Sequence, residues 1–158
     1  MINLPLSGLM TIGFDVSHDT KDRSKSFGAL VATMDLNKCQ KYFSVATPHM
    51  NGEELSNSLA ININRALRAY RDTHNTLPTR ILFDRGGVGD GQVEYVYTHE
   101  VVEIKNKLAE IYATANMPKP PGLAYVIVNK RLNTRIFHGK SNPKSGTVVD
   151  DCITLPER

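Results

Sequence analysis

An α/β fold built on a mixed sheet is predicted by three observations. Apolar and polar residues alternate in three early segments, apolar residues recur at helical spacing in two later ones, and a short apolar run feeds a glycine-rich turn. Met10 to Val16 sets Met10, Ile12, Phe14 and Val16 on one side and Thr11, Gly13 and Asp15 on the other, the period of a strand. Phe27 to Met34 reads as a second strand. Tyr42 to Thr47, after the polar turn at Asp35 to Lys38, reads as a third, so the chain opens as an antiparallel meander. A helix follows, with Leu55, Leu59, Ile63, Leu67 and Tyr70 forming one stripe and Asn51 with Glu54 a capping-box-like start. Pro78 ends the connection, and Arg80 to Arg85 reads as a buried strand running into GGVGDGQ at Gly86 to Gln92. The stripe of the next helix is Val93, Tyr97, Val101, Ile104, Leu108 and Ile111, and the proline-rich run from Met117 terminates it. Leu123 to Val128 is the fifth strand. The order β-β-β-α-β-α-β predicts a mixed sheet flanked by helices, because strand-helix-strand crossovers lay successive strands parallel.

Composition narrows the class. At 158 residues, 41% hydrophobic and 22% charged, the chain is one globular domain and neither a disordered tail nor a collagen-like repeat. Cys39 and Cys152 match no zinc or redox spacing and suit a reducing compartment, so the expectation is an intracellular chain, in cytoplasm, nucleus or both. The first ten residues lack a basic n-region and no run approaches a membrane span, so a soluble protein without a membrane partner is expected. The net charge of +3 is too small to identify a nucleic-acid partner. Its distribution says more: from Gly122 to Val149 there is no acid, while Lys130, Arg131, Arg135, Lys140 and Lys144 supply a field that a phosphate backbone would feel. A solvated basic face is the alternative reading.

Few residues stand out chemically. Asp15 is an acid within an apolar strand, where it either faces water or serves as a hard oxygen ligand for Mg²⁺. Glu53 and Glu54 open the first helix, where carboxylates meet the positive end of the dipole. Asp90 can cap the second helix in the same way. The GGVGDGQ turn could cradle phosphate, but the Walker pattern fails at Gln92-Val93 and Gly87, Gly89 and Gly91 only approximate a dinucleotide fingerprint, so a Rossmann-type nucleotide-binding domain is a weak rival. His18, His49, His74, His99 and His138 have no zinc spacing, no GxSxG elbow occurs, and Arg65, Arg68 and Arg71 fall on the polar side of their helix.

Six segments taken together carry a further signal. TIGFDVSHD at Thr11 to Asp19, SFGALVATMD at Ser26 to Asp35, GEELS at Gly52 to Ser56, RILFDRGGVGDGQ at Arg80 to Gln92, NKRLNTRIF at Asn129 to Phe137 and GTVVDDCIT at Gly146 to Thr154 resemble, in order, the PIWI domain of Argonaute proteins. The resemblance is to the animal Piwi clade, the germline group that binds piRNA. It implies a ribonuclease H-like fold, a guide RNA and a target RNA as partners, other proteins of the Piwi pathway as further ones, and a role in RNA-mediated silencing. In that family two Mg²⁺ ions held by an Asp-Glu-Asp-His or Lys tetrad drive endonuclease cleavage. Asp15 matches the first Asp, and Glu54 the glutamate, with Glu53 its rival.

The second Asp is replaced. The family pattern resembles YRDGVGDGQ, and the aligned residue here is Gly86. Asp84 lies on the same strand face but about 6.6 Å away along it, so as a substitute metal ligand beside Asp15 it needs a shift of register. The final tetrad member falls beyond GTVVDDCIT, so the chain is expected to be a C-terminally truncated piece of the domain, residues 1–9 leading into a core over 10–158. Lys130, Arg131 and Arg135 match basic positions near guide phosphates. The expectation is therefore an RNA-binding domain whose cleavage centre is inactive. A Mg²⁺-dependent guided endoribonuclease using Asp15, Glu54 and Asp84 stays open as an alternative, as does a truncated duplicate without independent function.

Overall fold

The computed structural model describes residues 6–19, 22, 25–36, 40–49, 52–129 and 135–149, and the side chains of 52–56 and 90 fall outside that description. Strands β1 (Leu9–His18), β2 (Ser26–Thr33) and β3 (Tyr42–His49) form the predicted antiparallel meander. Helix α1 (Gly52–His74) leads to β4 (Arg80–Arg85), which lies parallel to β1, and a second helical run leads to β5 (Gly122–Ile127), parallel to β4. The sheet order is β3-β2-β1-β4-β5, a mixed five-stranded sheet. Strand β4 has the bounds expected of a buried run ending at the glycine-rich turn, although its residues alternate between buried and half-buried; the other strands differ from expectation by one or two residues at their ends.

One face of the sheet carries the core. Met10, Ile12 and Phe14 of β1, Leu30 and Ala32 of β2, and Ile81 and Phe83 of β4 pack against Leu59, Ile63, Leu67 and Tyr70 of α1 and against Ile104, Leu108 and Tyr112 of the second helical run. Each of the Leu, Ile, Phe and Met side chains among them contributes about 1.5–3 kcal/mol on burial. The opposite face bears Thr11, Gly13, Asp15, Ala29, Val31, Asp84 and Val126, all half-buried or exposed. No helix among the described residues is long and apolar enough to cross a membrane.

The second helical run departs from the expected stripe. It starts with a 3₁₀ turn (Asp90–Gln92) and a single α-turn, α2 (Val93–Tyr95), passes through a π-turn (Val96–Glu100) and only then becomes regular as α3 (Val101–Thr114). A π-turn spends one more residue per turn than an α-turn. The stripe is therefore out of phase before it: Val96 and Glu100 are buried, and Tyr97, expected in the core, is 59% exposed. At the far end Tyr112 takes the buried place expected for Ile111.

Both long helices stop on asparagine. Asn75 (φ 54°) and Asn116 (φ 55°) sit in the left-handed region just after His74 and Ala115, with the Asn75 N–H donating to the Arg71 carbonyl at 2.7 Å. The second helix thus ends before the prolines expected to end it. Asn51, expected to cap α1, lies outside the described residues.

Candidate functional site

The parallel pair of β1 and β4 brings the sequence candidates to one place. Phe14 pairs with Arg85 at the end of the ladder, and the Gly86 N–H continues it by donating to the Phe14 carbonyl at 2.8 Å. Gly86 therefore lies beside Asp15, on the open face. A Cβ at position 86 would stand 3.0 Å from Asp15 Oδ1 and 3.1 Å from its Cγ. A Cβ on Gly87, whose φ is +71°, would stand 2.7 Å from the same Oδ1. The Asp15 carboxylate thus rests against two bare glycine backbones, and its Oδ1 also accepts the Val16 N–H at 3.0 Å.

Asp84 sits one row back. Its neighbours are Gly13 on β1 and Val126 on β5, so it does not face Asp15 across the strands. Glu53 and Glu54 lie in the first turn of α1, with their side chains outside the described residues. So do Lys130 and Arg131, while Arg135 is exposed. Lys140 and Lys144 are exposed too, beside the isolated bridge between His138 and Ser141.

Other candidates take structural roles. Gln92, not Asp90, holds the cap position of α2 and makes no side-chain cap hydrogen bond. The glycine-rich turn is partly closed on itself, since the Gly89 N–H donates to Gln92 Oε1 at 3.3 Å. Arg65, Arg68 and Arg71 are exposed, and the Arg65 guanidinium lies 6.0 Å from the Phe43 ring centroid. Cys39 and Cys152 lie outside the described residues. Among those described, no three His, Cys, Asp or Glu side chains gather in one place.

Sequence reasoning missed what lies directly beneath Gly86. Arg85 and Glu100 are 4% and 3% exposed, on the helix side of the sheet. Arg85 Nε donates to Glu100 Oε1 at 2.9 Å and Nη2 to Oε2 at 3.3 Å, while Nη1 donates to the Gly86 carbonyl. The guanidinium lies 4.9 Å from the Phe14 ring centroid. Tyr125 of β5 completes the group, its hydroxyl donating to Glu100 Oε1 and its ring stacked on Phe83 at 4.9 Å. Burial, then the Glu100 carboxylate, pushes the Tyr125 phenol well above its ordinary range, with Arg85 opposing. Ile81, Phe83 and Arg85 alternate on the buried side of β4, a signal that could have found Arg85; the π-turn hid its partner.

Against this geometry the comparisons agree with one another. The Piwi domain profile matches residues 1–158. The Piwi-like protein Siwi of Bombyx mori is 52% identical over 161 residues, which span 99% of this chain and 17% of that protein. The crystal structure of Drosophila Piwi superposes with a TM-score of 0.85 at 47% identity, over all of this chain and 21% of that one. The crystal structure of Kluyveromyces polysporus Argonaute with a guide RNA shares the fold at a TM-score of 0.65 and 24% identity, over 75% of this chain and 14% of that one. The chain thus spans about a fifth of the length of the relatives it matches.

Proposed function

The chain belongs to the Piwi domain family, and we propose that it serves piRNA-guided silencing by binding RNA, with its cleavage centre inactive. One observation carries the second half of that reading: the position that faces the Asp15 carboxylate is a glycine. In the family's chemistry Mg²⁺ held by an acidic tetrad would activate water and stabilise the leaving oxygen, and here Asp15 and Glu54 are the residues that would hold it. Position 86 offers no ligand opposite Asp15, and Asp84, which faces Gly13 instead of Asp15, does not replace it.

RNA binding is supported by the acid-free segment from Gly122 to Val149 and by a guide RNA in a relative of the same fold. Binding to phosphate is salt-sensitive and largely independent of sequence. The test uses single-stranded RNA of guide length, with affinity measured across a salt series. Replacing Lys130, Arg131 and Arg135 together by Ala should reduce the slope of log K against log salt by about 2, at roughly 0.7 for each phosphate no longer neutralised. An unchanged slope and affinity would sink the binding claim. Adding a complementary target and Mg²⁺ should give no cleavage above the Asp15→Ala background; cleavage that needs Asp15 would establish the endoribonuclease reading instead.

A further inference from the structure

The geometry points to Arg85, Glu100 and Tyr125 as a positioning set that fixes the backbone of Gly86 against Asp15. It rests on the reading that Asp15 and position 86 face one another in the family's metal centre, and it concerns residues that touch neither substrate nor metal.

Gly86 and Gly87 are consecutive glycines at the open end of β4, the residue type with most conformational entropy to lose. The ladder ends at the peptide that enters them, where the Gly86 N–H donates to the Phe14 carbonyl and the Arg85 carbonyl accepts the Val128 N–H, both at 2.8 Å. Yet Gly86 is buried and its carbonyl is held from below by Arg85 Nη1. Arg85 cannot swing away. Two of its nitrogens are forked onto Glu100, and its planar face lies over the Phe14 ring of β1. Glu100 is fixed in turn by the Tyr125 hydroxyl, and Tyr125 by its stack on Phe83.

The set therefore ties three elements, β4, β5 and the helical run, to the one peptide that faces Asp15. The π-turn contributes by burying Glu100 and Val101 side by side, which places the acid under the strand end. Functional groups need such support, because a ligand geometry is only as good as the residues that lock it. Here the support is complete although position 86 has no side chain.

The experiment separates positioning from mere stability. Apolar replacement of both partners of a buried ion pair is often neutral for stability, so the intact chain carrying Arg85→Met with Glu100→Leu should melt within a few degrees of the parent. Tyr125→Phe is the milder second variant. Hydrogen exchange then reads the Gly86 amide: about tenfold faster in the double variant, and less so in Tyr125→Phe, with the amides of Ile12 and Phe83 unchanged. Gly86 exchange that does not change in either variant, or that rises only together with Ile12 and Phe83, overturns the proposal.

A second arm uses Mn²⁺ alone as the probe. Gly86→Asp should melt lower in chelator, because two carboxylates then face one another, and Mn²⁺ should raise its melting temperature by several degrees. Adding the Arg85→Met and Glu100→Leu changes should abolish that response. Faster Gly86 exchange without any Mn²⁺ response in Gly86→Asp supports the positioning set and overturns the metal-centre reading on which it was built. A full Mn²⁺ response that survives loss of the ion pair overturns the positioning set.

Discussion

Arg85 and Gly86 are neighbours in sequence on opposite faces of one sheet, and they are provided for in opposite ways. Beneath the sheet, Arg85 is buried and every arm of its guanidinium is engaged by Glu100 or by the Gly86 carbonyl. Above it, Asp15 has across from it a residue with no side chain at all. The support beneath position 86 is complete, while position 86 itself presents no side chain. A sheet with two faces allows this: packing on the helix side is decided by burial and paired charge, while the open side can lose a carboxylate without disturbing the core.

The comparison breaks most sharply at Glu100. Truncating one partner of a buried ion pair strands the other charge in a medium that cannot solvate it, so Glu100→Ala should cost about 3–5 kcal/mol in denaturant unfolding. The apolar double replacement should cost far less. A loss below about 1 kcal/mol for Glu100→Ala would mean that water reaches Arg85 and that the lower face is not sealed.

Gly87 tests the upper face at the next scale. Its φ of +71° and the 2.7 Å approach to Asp15 Oδ1 both oppose a side chain, so Gly87→Ala should cost about 1–3 kcal/mol. Gly86→Ala should cost less, since its Cβ would meet the carboxylate at 3.0 Å and Asp15 can give by a few tenths of an ångström. A reversed order would show that the left-handed backbone at Gly87 relaxes on substitution while the backbone at Gly86 does not.

Smaller still at neutral pH is the effect of the phenols. Burial raises the Tyr70, Tyr112 and Tyr125 hydroxyls above the ordinary value near 10, and for Tyr125 the Glu100 carboxylate adds to this. A raised folded-state value favours the neutral form, so this stability is fully present below about pH 10 and is lost as pH climbs beyond it. Melting temperature should therefore fall steeply above about pH 10, and Tyr125→Phe, at a neutral-pH cost of about 1 kcal/mol, should flatten that fall. An alkaline slope identical to the parent's would mean that the Tyr125 hydroxyl ionises from the folded protein as freely as in water.

Much of this was legible in the residues. The alternation in Met10 to Val16 assigned Asp15 to the face away from the core, and the apolar run from Arg80 to the glycine-rich turn gave β4 its bounds. The aligned run through Gly86 identified the position that the register sets beside Asp15. What stayed hidden follows from one turn. Before the π-turn a helical period counts to Tyr97 where the fold buries Val96, and it gives no reason to bury Glu100. Periodicity shows which faces are apolar; it does not show where a helix changes its pitch to carry a charge inward. The asparagines at 75 and 116 were overlooked for a similar reason, because proline is a louder stop signal than a left-handed cap.

The smallest expected effect is the most telling for function. Asp15 is exposed and on the open face, so Asp15→Asn should change stability by no more than about 0.5 kcal/mol. Glu100 and Asp15 are both carboxylates near Gly86, and their expected costs differ several-fold because one is buried against a guanidinium and the other is exposed on the open face. A carboxylate that leaves the fold indifferent is held in place for something other than folding. If Asp15→Asn instead destabilised the chain by as much as about 2 kcal/mol, its hydrogen bond to the Val16 amide would be a structural strut and the carboxylate a poor candidate for any ligand. A slight gain would point the other way, since functional carboxylates are commonly held at some expense to stability.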